Sequence, residues 1–280
     1  MAVTDPSASL TQILDRMQCP RCSGPLGIGD ATVVCSDCGT PFPFRDGIPL
    51  LAIPGTSETW TDRTEQETSE EYQRAYQEVE EARKYNEAYR DQRTKRWSTD
   101  REYRILAELL GSRPRSHVLL DLPSGGGRLS PQLAPHTDLL VEADIGLGQL
   151  MYGRAHHRGA DPRIWMTASA FHIPFRDGAV DAVVCCRLCH HLPTAGERER
   201  LLAELLRVAD RFVIMTFFDY HSVKNLVRRV RAPFNGKPPK MTMTVDRVRE
   251  LARAHGAELV AWPALARLFS GHRYALMVKR

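Results

Sequence analysis

The chain lacks any long apolar run. Nowhere in its 280 residues does a stretch approach the roughly 18 consecutive apolar residues that mark a membrane-spanning helix. The segment Met1 to Leu10 has no basic start followed by an apolar core, so it lacks the form of a secretory signal peptide. The sequence also has no internal repeat and no long low-complexity segment. These absences argue against membrane-spanning, secreted and repeat proteins, and we expect a cytoplasmic protein.

Composition and charge are those of an ordinary globular protein. Hydrophobic residues make up 42% and charged residues 26% of the sequence, and the net charge is +4. The charge is unevenly placed, because residues 1–60 carry 3 basic and 6 acidic side chains whereas residues 101–280 carry 27 and 17. This basic bias of the larger part permits an acidic partner, such as RNA or an anionic membrane surface, without requiring one.

Four of the seven cysteines form two CxxC turns separated by twelve residues. Two such turns facing each other supply the sulfur ligands of a tetrahedral zinc site. Four protein ligands leave no open position for a substrate, so we predict a structural Zn2+. A redox CxxC needs one pair and a helix start, which do not fit here. The predicted ligands are Cys19, Cys22, Cys35 and Cys38.

Glycines follow both CxxC turns, at Gly24 and Gly39, where a positive backbone φ is often required. The other three cysteines, Cys185, Cys186 and Cys189, cluster far downstream. We interpret them as core or loop residues rather than as nucleophiles. The spacing of all seven is not that of a small secreted disulfide scaffold.

From residue 113 onward, short apolar segments alternate with helix-prone segments. This alternation predicts a mostly parallel sheet covered by helices on both faces. The seven predicted strands are 117–121, 139–143, 164–167, 180–186, 211–217, 258–262 and 274–278. The predicted helices include 69–96, 101–110, 147–157, 195–209 and 245–255.

The first predicted strand ends in a glycine-rich turn, Asp121-Leu-Pro-Ser-Gly-Gly-Gly-Arg128. Ligands of an open α/β sheet bind beyond the carboxyl ends of its strands, where glycine lets the backbone approach closely. The turn resembles motif I of the class I S-adenosylmethionine-dependent methyltransferases, D-x-G-x-G-x-G. Gly125 and Gly127 match two of its glycines, Pro123 replaces the first, and Ser124 follows it. By this resemblance, Asp121 is the acidic residue that contacts the methionine amine, directly or through water.

The resemblance implies an α/β protein with the Rossmann-like class I methyltransferase fold and a mostly parallel seven-stranded sheet. It also places the cofactor ribose at the end of the second strand. A carboxylate there accepts hydrogen bonds from both ribose hydroxyls. Asp144, followed by Ile145, matches this position best, and Glu142 is the second candidate. The alternative role of Asp144 is to cap the next helix.

Two further segments and one helix resemble the same family. ASAFHIPF, residues 168–175, is similar to the adenine-binding D-A-x-x-L-P-F segment, with serine where the family has its aspartate. CRLCHHL, residues 186–192, resembles the loop after the fourth strand that closes over the cofactor. The helix before the sheet often covers the methionine end in the family, although its tyrosines could simply pack against the domain. The residues thereby assigned to the cofactor are Ser169, Ala170, Phe171, Cys186 and Tyr89.

The ribbon has resemblances of its own. Its tail, Phe42-Pro-Phe-Arg-Asp-Gly-Ile-Pro-Leu-Leu, resembles small zinc-ribbon proteins that activate tRNA and protein methyltransferases. A cysteine ribbon ahead of a methyltransferase domain is also similar to bacterial large-subunit rRNA guanine methyltransferases. These resemblances cover the ribbon alone.

Candidate acceptor-site residues follow the fourth and fifth predicted strands. Methyl transfer needs an aligned acceptor, and some acceptors also need a base. The fifth strand ends in Thr216-Phe-Phe-Asp-Tyr-His and lacks an N-P-P-Y tetrapeptide, which argues against adenine-N6 and amide acceptors. The histidine pair after the fourth strand has packing or helix capping as its alternative role. The candidate bases are His190, His191, Asp219, Tyr220 and His221.

Residues 222–240 carry six basic and no acidic side chains. Apolar residues recur there at helical spacing, so the first half is predicted to be an amphipathic helix. In the family such an insertion lies over the acceptor pocket. The segment could be a lid, grip RNA phosphates or lie on an anionic membrane. The apolar positions are Val223, Leu226, Val227 and Val230.

We predict a zinc ribbon at 1–55, a linker with cofactor-covering helices at 56–112, and a methyltransferase domain at 113–280. The predicted activity is S-adenosylmethionine-dependent methylation of a small molecule or lipid-linked metabolite. The acidic ribbon favours this over an rRNA or tRNA methyltransferase that grips RNA with ribbon and basic helix, because RNA-binding ribbons are usually basic. A cofactor-free scaffold that activates a partner is the second alternative, suggested by Pro123 and Ser169.

Overall fold

A central sheet organises the protein in the computed structural model, which describes residues 10–29, 32–53, 79–91, 93–157, 159, 161–235, 241–266, 268 and 270–280. Side chains are described within these ranges except at 85, 88–91, 94–95 and 232–235. The strands are β1 (Leu26–Ile28), β2 (Thr32–Cys35), β3 (Pro41–Arg45), β4 (Ile48–Pro49), β5 (Ser116–Asp121), β6 (Thr137–Asp144), β7 (Arg163–Thr167), β8 (Val180–Cys185), β9 (Ala209–Phe218), β10 (Ala257–Ala261) and β11 (His272–Lys279).

Helices connect these strands and precede the large sheet. They are α1 (Val79–Asp91), α2 (Arg93–Gly111), α3 (Ser130–Leu133), α4 (Leu147–His156), α5 (Ala195–Val208), α6 (Val223–Asn235) and α7 (Val245–Ala254). In the described part of the chain, no helix has the length and apolar character needed to cross a membrane.

The large sheet has seven strands in the order β10-β11-β9-β8-β5-β6-β7. Neighbours from β9 to β7 pair in parallel, whereas β11 pairs antiparallel with both β9 and β10. The carboxyl ends of the parallel strands therefore meet at one edge, and the chain enters β11 at that same edge. The predicted α/β fold class with a mostly parallel seven-stranded sheet is confirmed.

Alternation along the strands divides the core between the two faces of the sheet. Val118 and Leu120 of β5 belong to one buried cluster, together with apolar residues of α5, α7 and the N-terminal ribbon. Leu119 belongs to the other cluster, together with residues of α2 and α3. The inner strand β5 is thus buried on both sides, which explains why its sequence is almost continuously apolar.

The N-terminal ribbon is a four-stranded sheet, β1-β2-β3-β4, that packs against the edge of the large sheet. Leu50 forms a parallel bridge with Thr167 at the end of β7, and Ala52 N donates to Thr167 Oγ1 at 3.1 Å. Met17 forms an antiparallel bridge with Phe175, and both side chains are fully buried. The ribbon and the large sheet therefore share one hydrophobic core.

Two local predictions about the N-terminal part were wrong. The predicted gap between helices 69–96 and 101–110 is absent, because α2 runs without a break from Arg93 to Gly111. The positive φ after the first CxxC turn lies at Ser23 (64°) rather than at Gly24. Gly24 is needed for space, since a Cβ there would lie 2.5 Å from an Asp37 carboxylate oxygen. Gly39 has φ +67°, as predicted.

Candidate functional site

The glycine-rich turn lies at the carboxyl edge of the sheet, where β5 is flanked by β6 and β8. Leu122 N donates to Val184 O at 3.0 Å, and Ser124 N donates to Ala143 O at 2.9 Å. These two bonds hold the turn to both neighbouring strands. Gly125 and Gly127 have φ of +56° and +73°, which L side chains rarely adopt. The turn keeps its left-handed residues although Pro123 replaces a glycine of the family motif.

Helix α1 covers this turn through Asn86, a residue that the sequence did not identify. A Cβ on Gly126 would lie 2.5 Å from Asn86 Nδ2, so the middle glycine is required for this close approach. Asn86 Nδ2 also donates to Gln149 Oε1 at 3.0 Å and is buried with it. Tyr89 belongs to the same helix, but its side chain lies outside the described residues.

Asp121 ends β5 as a buried carboxyl group without a hydrogen-bond partner in the described structure. Burial raises its pKa well above the usual range, and the nearby Glu142 carboxyl raises it further. An unpaired buried carboxyl is costly, and a cationic ligand group at the turn would offset that cost. Asp121 thus lies where the sequence predicts it and has the chemistry of an ammonium-binding group.

The two candidate ribose-binding acids have different surroundings. Asp144 accepts hydrogen bonds from Gly125 N and Gly146 N, each at 2.8 Å, so it joins the glycine turn to the start of α4. Burial raises its pKa to about 6. Glu142 instead accepts from Ser130 Oγ and pairs with Arg163 at 2.8 Å. The geometry favours Asp144, which lies beside the turn.

The predicted N-cap role of Asp144 is not what the structure has. Gly146 is the N-cap residue of α4, and no side chain caps this helix. Ile145, between them, is 41% exposed. Asp144 joins two loops by accepting hydrogen bonds from both, and its carboxylate has lone pairs left to accept further hydrogen bonds.

The adenine-side segment follows β7 at the same edge. Ser169 is buried, and its Oγ accepts from Phe171 N at 3.2 Å in a tight turn. Ala170 is buried beside it, and Phe171 is partly exposed. β7 neighbours β6, with Thr167 paired to Asp144, so this turn lies next to the candidate ribose site.

A buried ion cluster supports the loop that follows β8. Glu102 of α2 accepts from Arg128, from Arg187 at 3.1 Å and from Tyr274 Oη at 2.8 Å. Burial opposes its ionisation, but the two guanidinium groups and the tyrosine outweigh burial and lower its pKa to about 2. Arg187 has φ +65°, and its N–H donates to Thr216 Oγ1 at 2.6 Å. The cluster therefore fixes this loop against α2 and β9.

The cysteines of this loop are buried, which agrees with their interpretation from the sequence as core residues. Cys186 is 4% exposed and Cys189 1% exposed. Burial raises the pKa of Cys189 to about 12, so it is a neutral thiol at pH 7. Cys186 lies at the end of β8, beside the glycine turn.

At the end of this loop, four rings form an aromatic cluster: His190, His191, Phe218 and His272. The ring centroids of His190 and Phe218 lie 4.3 Å apart, those of His190 and His191 also 4.3 Å, and those of Phe218 and His272 4.4 Å. The predicted histidine pair thus lies at the end of β9, next to the start of β11. We call these four residues the aromatic cluster.

Sequence reasoning missed His272. His272 starts an antiparallel strand, and such a strand begins at the edge where its parallel neighbours end. The predicted strand order could therefore have placed His272 at this edge. Burial, followed by the Arg187 charge, lowers the pKa of His272 to about 3, so its imidazole is neutral at pH 7. Its Nδ1 lies 3.3 Å from Ser270 Oγ, and Nε2 is buried without a hydrogen-bond partner in the described structure.

The other three candidate bases follow β9 directly. Asp219 accepts from Arg273 Nε at 2.6 Å and from His221 N at 2.9 Å, and it is 1% exposed. Tyr220 is 40% exposed, with the Arg229 guanidinium 3.7 Å from its ring centroid. His221 is exposed. These contacts suit Asp219 to positioning, and the catalytic roles of all three stay predictions.

The four ribbon cysteines come together as predicted. Their Sγ atoms all lie within 4.8 Å of one another, with Cys19 and Cys38 at 3.8 Å and Cys22 and Cys35 at 3.4 Å. A tetrahedral zinc site with Zn–S bonds of about 2.3 Å has sulfurs about 3.8 Å apart, so the cluster has the size and donor set for zinc.

Residues 120–211 match the family described as a methyltransferase domain. This part of the chain is therefore a methyltransferase domain. Over 117 residues it is 35% identical to a demethylmenaquinone methyltransferase of Clavibacter sepedonicus, a match that covers 41% of this chain and 44% of that protein. The chain therefore spans less than half the length of this methyltransferase relative.

A 43-residue stretch of the chain is also 42% identical to a UPF0434 protein of Stutzerimonas stutzeri (strain A1501). The match covers 15% of this chain and 70% of that small protein, so this stretch belongs to the UPF0434 family. Among solved structures, magnesium protoporphyrin IX methyltransferase from Synechocystis PCC 6803, with bound SAH, has a TM-score of 0.59 at 17% identity. That likeness covers 70% of this chain and 93% of the other, and it shows a shared fold.

Proposed function

We propose that the protein transfers a methyl group from S-adenosylmethionine to a small-molecule or lipid-linked acceptor. The observation that carries this proposal is the position of the aromatic cluster. It lies at the same carboxyl edge as the glycine turn, so a planar, largely apolar acceptor bound there would face the cofactor.

The residues of the edge fit this cofactor. When bound, S-adenosylmethionine supplies a methyl group on an already activated sulfonium. The orphaned Asp121 carboxyl suits its ammonium group, and Asp144 suits its ribose hydroxyls. Ser169, Ala170 and Phe171 would hold the adenine. In this arrangement, the protein binds and aligns the two reactants and excludes water.

The acceptor side combines stacking surfaces with positive charge. His272 is neutral and can accept a hydrogen bond at Nε2, whereas its low pKa opposes its taking up a proton. Lys224 and Arg228 of α6 lie close enough to His272 to depress its pKa further. A cationic surrounding stabilises the anion of an acidic acceptor hydroxyl. We therefore favour an acceptor that carries an ionisable oxygen.

A named relative supports a small-molecule acceptor. The demethylmenaquinone methyltransferase of Clavibacter sepedonicus acts, by its name, on demethylmenaquinone. The ribbon, with 3 basic and 6 acidic side chains in residues 1–60, offers little attraction to RNA phosphates. We further propose that its four thiolates hold a structural Zn2+ and that the ribbon and methyltransferase units act as one body.

Incubation of the full chain with methyl-labelled S-adenosylmethionine and cell extract tests this proposal. The extract is then separated into organic-soluble, small-molecule, RNA and protein fractions. We expect label in the organic-soluble or small-molecule fraction. Asp121→Asn should abolish this label, whereas the matched change Asp138→Asn, at an exposed carboxylate, should leave it unchanged.

Label confined to RNA would replace this proposal with the RNA methyltransferase. Absence of label, together with no binding of S-adenosylmethionine in calorimetry by a folded, zinc-loaded chain, would support the inactive scaffold. Both results contradict a small-molecule methyltransferase.

A further inference from the structure

Helix α6 packs on the protein through its polar side. Asn225 is 2% exposed, and its Nδ2 donates to Asp219 O at 2.9 Å. A Cβ on Gly271 would lie 2.5 Å from the same Nδ2, so Asn225 is tightly enclosed. Arg228, one turn further on, donates to Asn225 Oδ1 at 3.1 Å, and its guanidinium lies 5.7 Å from the Phe218 ring centroid.

The apolar side of α6 consequently faces away from the protein. Positions i, i+3, i+4 and i+7 share one face of a helix, here the face opposite Asn225. Exposure of aliphatic side chains over two helical turns is unusual, since a surface helix normally buries such a stripe. The exposed fractions are 46% for Val223, 51% for Leu226, 43% for Val227 and 63% for Val230.

Basic side chains border this apolar stripe on both sides. Lys224 and Arg231, seven residues apart, lie along one border, and both are exposed. Arg229 lies along the other border and stacks on Tyr220, which adds a partly exposed aromatic ring beside the stripe. The sequence of α6 contains four basic residues and no acidic one.

We propose that α6 is a membrane-docking helix that lies in the interface of an anionic lipid bilayer. An outward apolar stripe between basic borders matches both components of such a surface, the acyl chains and the negative headgroups. RNA would pair with the basic residues but would leave the four aliphatic side chains in water. Docking in this orientation brings the aromatic cluster close to the bilayer, because Asn225 and Arg228 join α6 to that part of the molecule.

Vesicle flotation with the full chain tests this surface. The chain is mixed, without cofactor, with phosphatidylcholine vesicles or with mixed phosphatidylcholine–phosphatidylglycerol vesicles. We expect binding to the anionic vesicles and little to the neutral ones. Leu226→Asp/Val230→Asp should weaken binding at least about tenfold, since both apolar burial and net charge are lost. The assay does not rely on the proposed methyl transfer, so the two proposals can fail separately.

Matched controls separate α6 from general surface properties. Val260→Asp alters a valine that is 45% exposed on β10, and Arg253→Glu is the control for Arg231→Glu. We expect Arg231→Glu to weaken binding to anionic vesicles and both controls to bind as the unchanged chain does. Equal vesicle binding by Leu226→Asp/Val230→Asp and by the unchanged chain would overturn the proposal. A different outcome is that the chain binds an RNA transcript and no vesicles. If Arg231→Glu abolished that RNA binding while Leu226→Asp/Val230→Asp preserved it, α6 would be an RNA-binding helix.

Discussion

Replacing Glu102 with glutamine should destabilise the fold by about 3 kcal/mol at neutral pH. Glu102 is 0% exposed and pairs with Arg128 and Arg187, while Tyr274 Oη donates to its second oxygen. Glutamine keeps the size of the side chain and removes its charge. Two largely buried guanidinium groups would then lose their common counter-ion.

The magnitude follows from the pKa of Glu102. Since one pKa unit corresponds to about 1.4 kcal/mol, the lowering from 4.5 to about 2 stabilises the native state by about 3 kcal/mol. This value agrees with the cost of about 3 to 5 kcal/mol for removing one partner from a buried ion pair. Because the pKa of Glu102 is lower in the folded state than in the unfolded state, this stabilisation is fully present above the unfolded pKa of 4.5. It is lost as the pH falls towards 2, and about half should remain at pH 3.

Urea unfolding of the unchanged chain and of Glu102→Gln, followed by circular dichroism between about pH 3 and pH 7, measures this difference. Glu108→Gln on the same helix is the control, because Glu108 is exposed. A difference below about 1 kcal/mol at pH 7, or one that does not shrink towards pH 3, would refute the assignment of Glu102 as the central charge of the cluster.

Three other predictions concern the cofactor and the metal. Gly127→Ala places a Cβ on a residue with φ +73°, 2.9 Å from Ser130 Oγ. Calorimetry should therefore show at least about tenfold weaker binding of S-adenosylmethionine. The control Gly196→Ala should bind the cofactor normally, because a Cβ there would have no atom within 4 Å. Because the pKa of Asp144 is raised to about 6, affinity for the cofactor should fall as the pH drops through 6. Asp144→Asn should weaken this dependence, and an unchanged pH dependence in the variant would contradict the prediction. Cys35→Ser should release zinc, as measured by atomic absorption, and lower the melting temperature by about 10 °C, whereas the exposed Ser36→Ala should do neither.

The candidate site was predictable to different degrees. The glycine turn and the paired CxxC turns were predictable because their chemistry depends on residues close together in sequence. The choice between Asp144 and Glu142 needed the structure, since both end the same strand and only their hydrogen-bond partners on β7, α3 and the glycine turn separate them. His272 and Glu102 reach the edge from β11 and α2, and no local pattern links them to the loop after β8.

The sequence by itself determined the order of strands and helices, the position of the glycine turn at the end of a strand and the grouping of the four ribbon cysteines. These features follow from hydrophobic periodicity and from backbone and ligand geometry within short segments. The tertiary structure alone decided that the ribbon shares the core of the methyltransferase domain and that α6 turns its apolar side outward. Periodicity shows that a helix has two unlike faces, but which face is buried depends on distant partners, here Asp219 and Gly271 around Asn225.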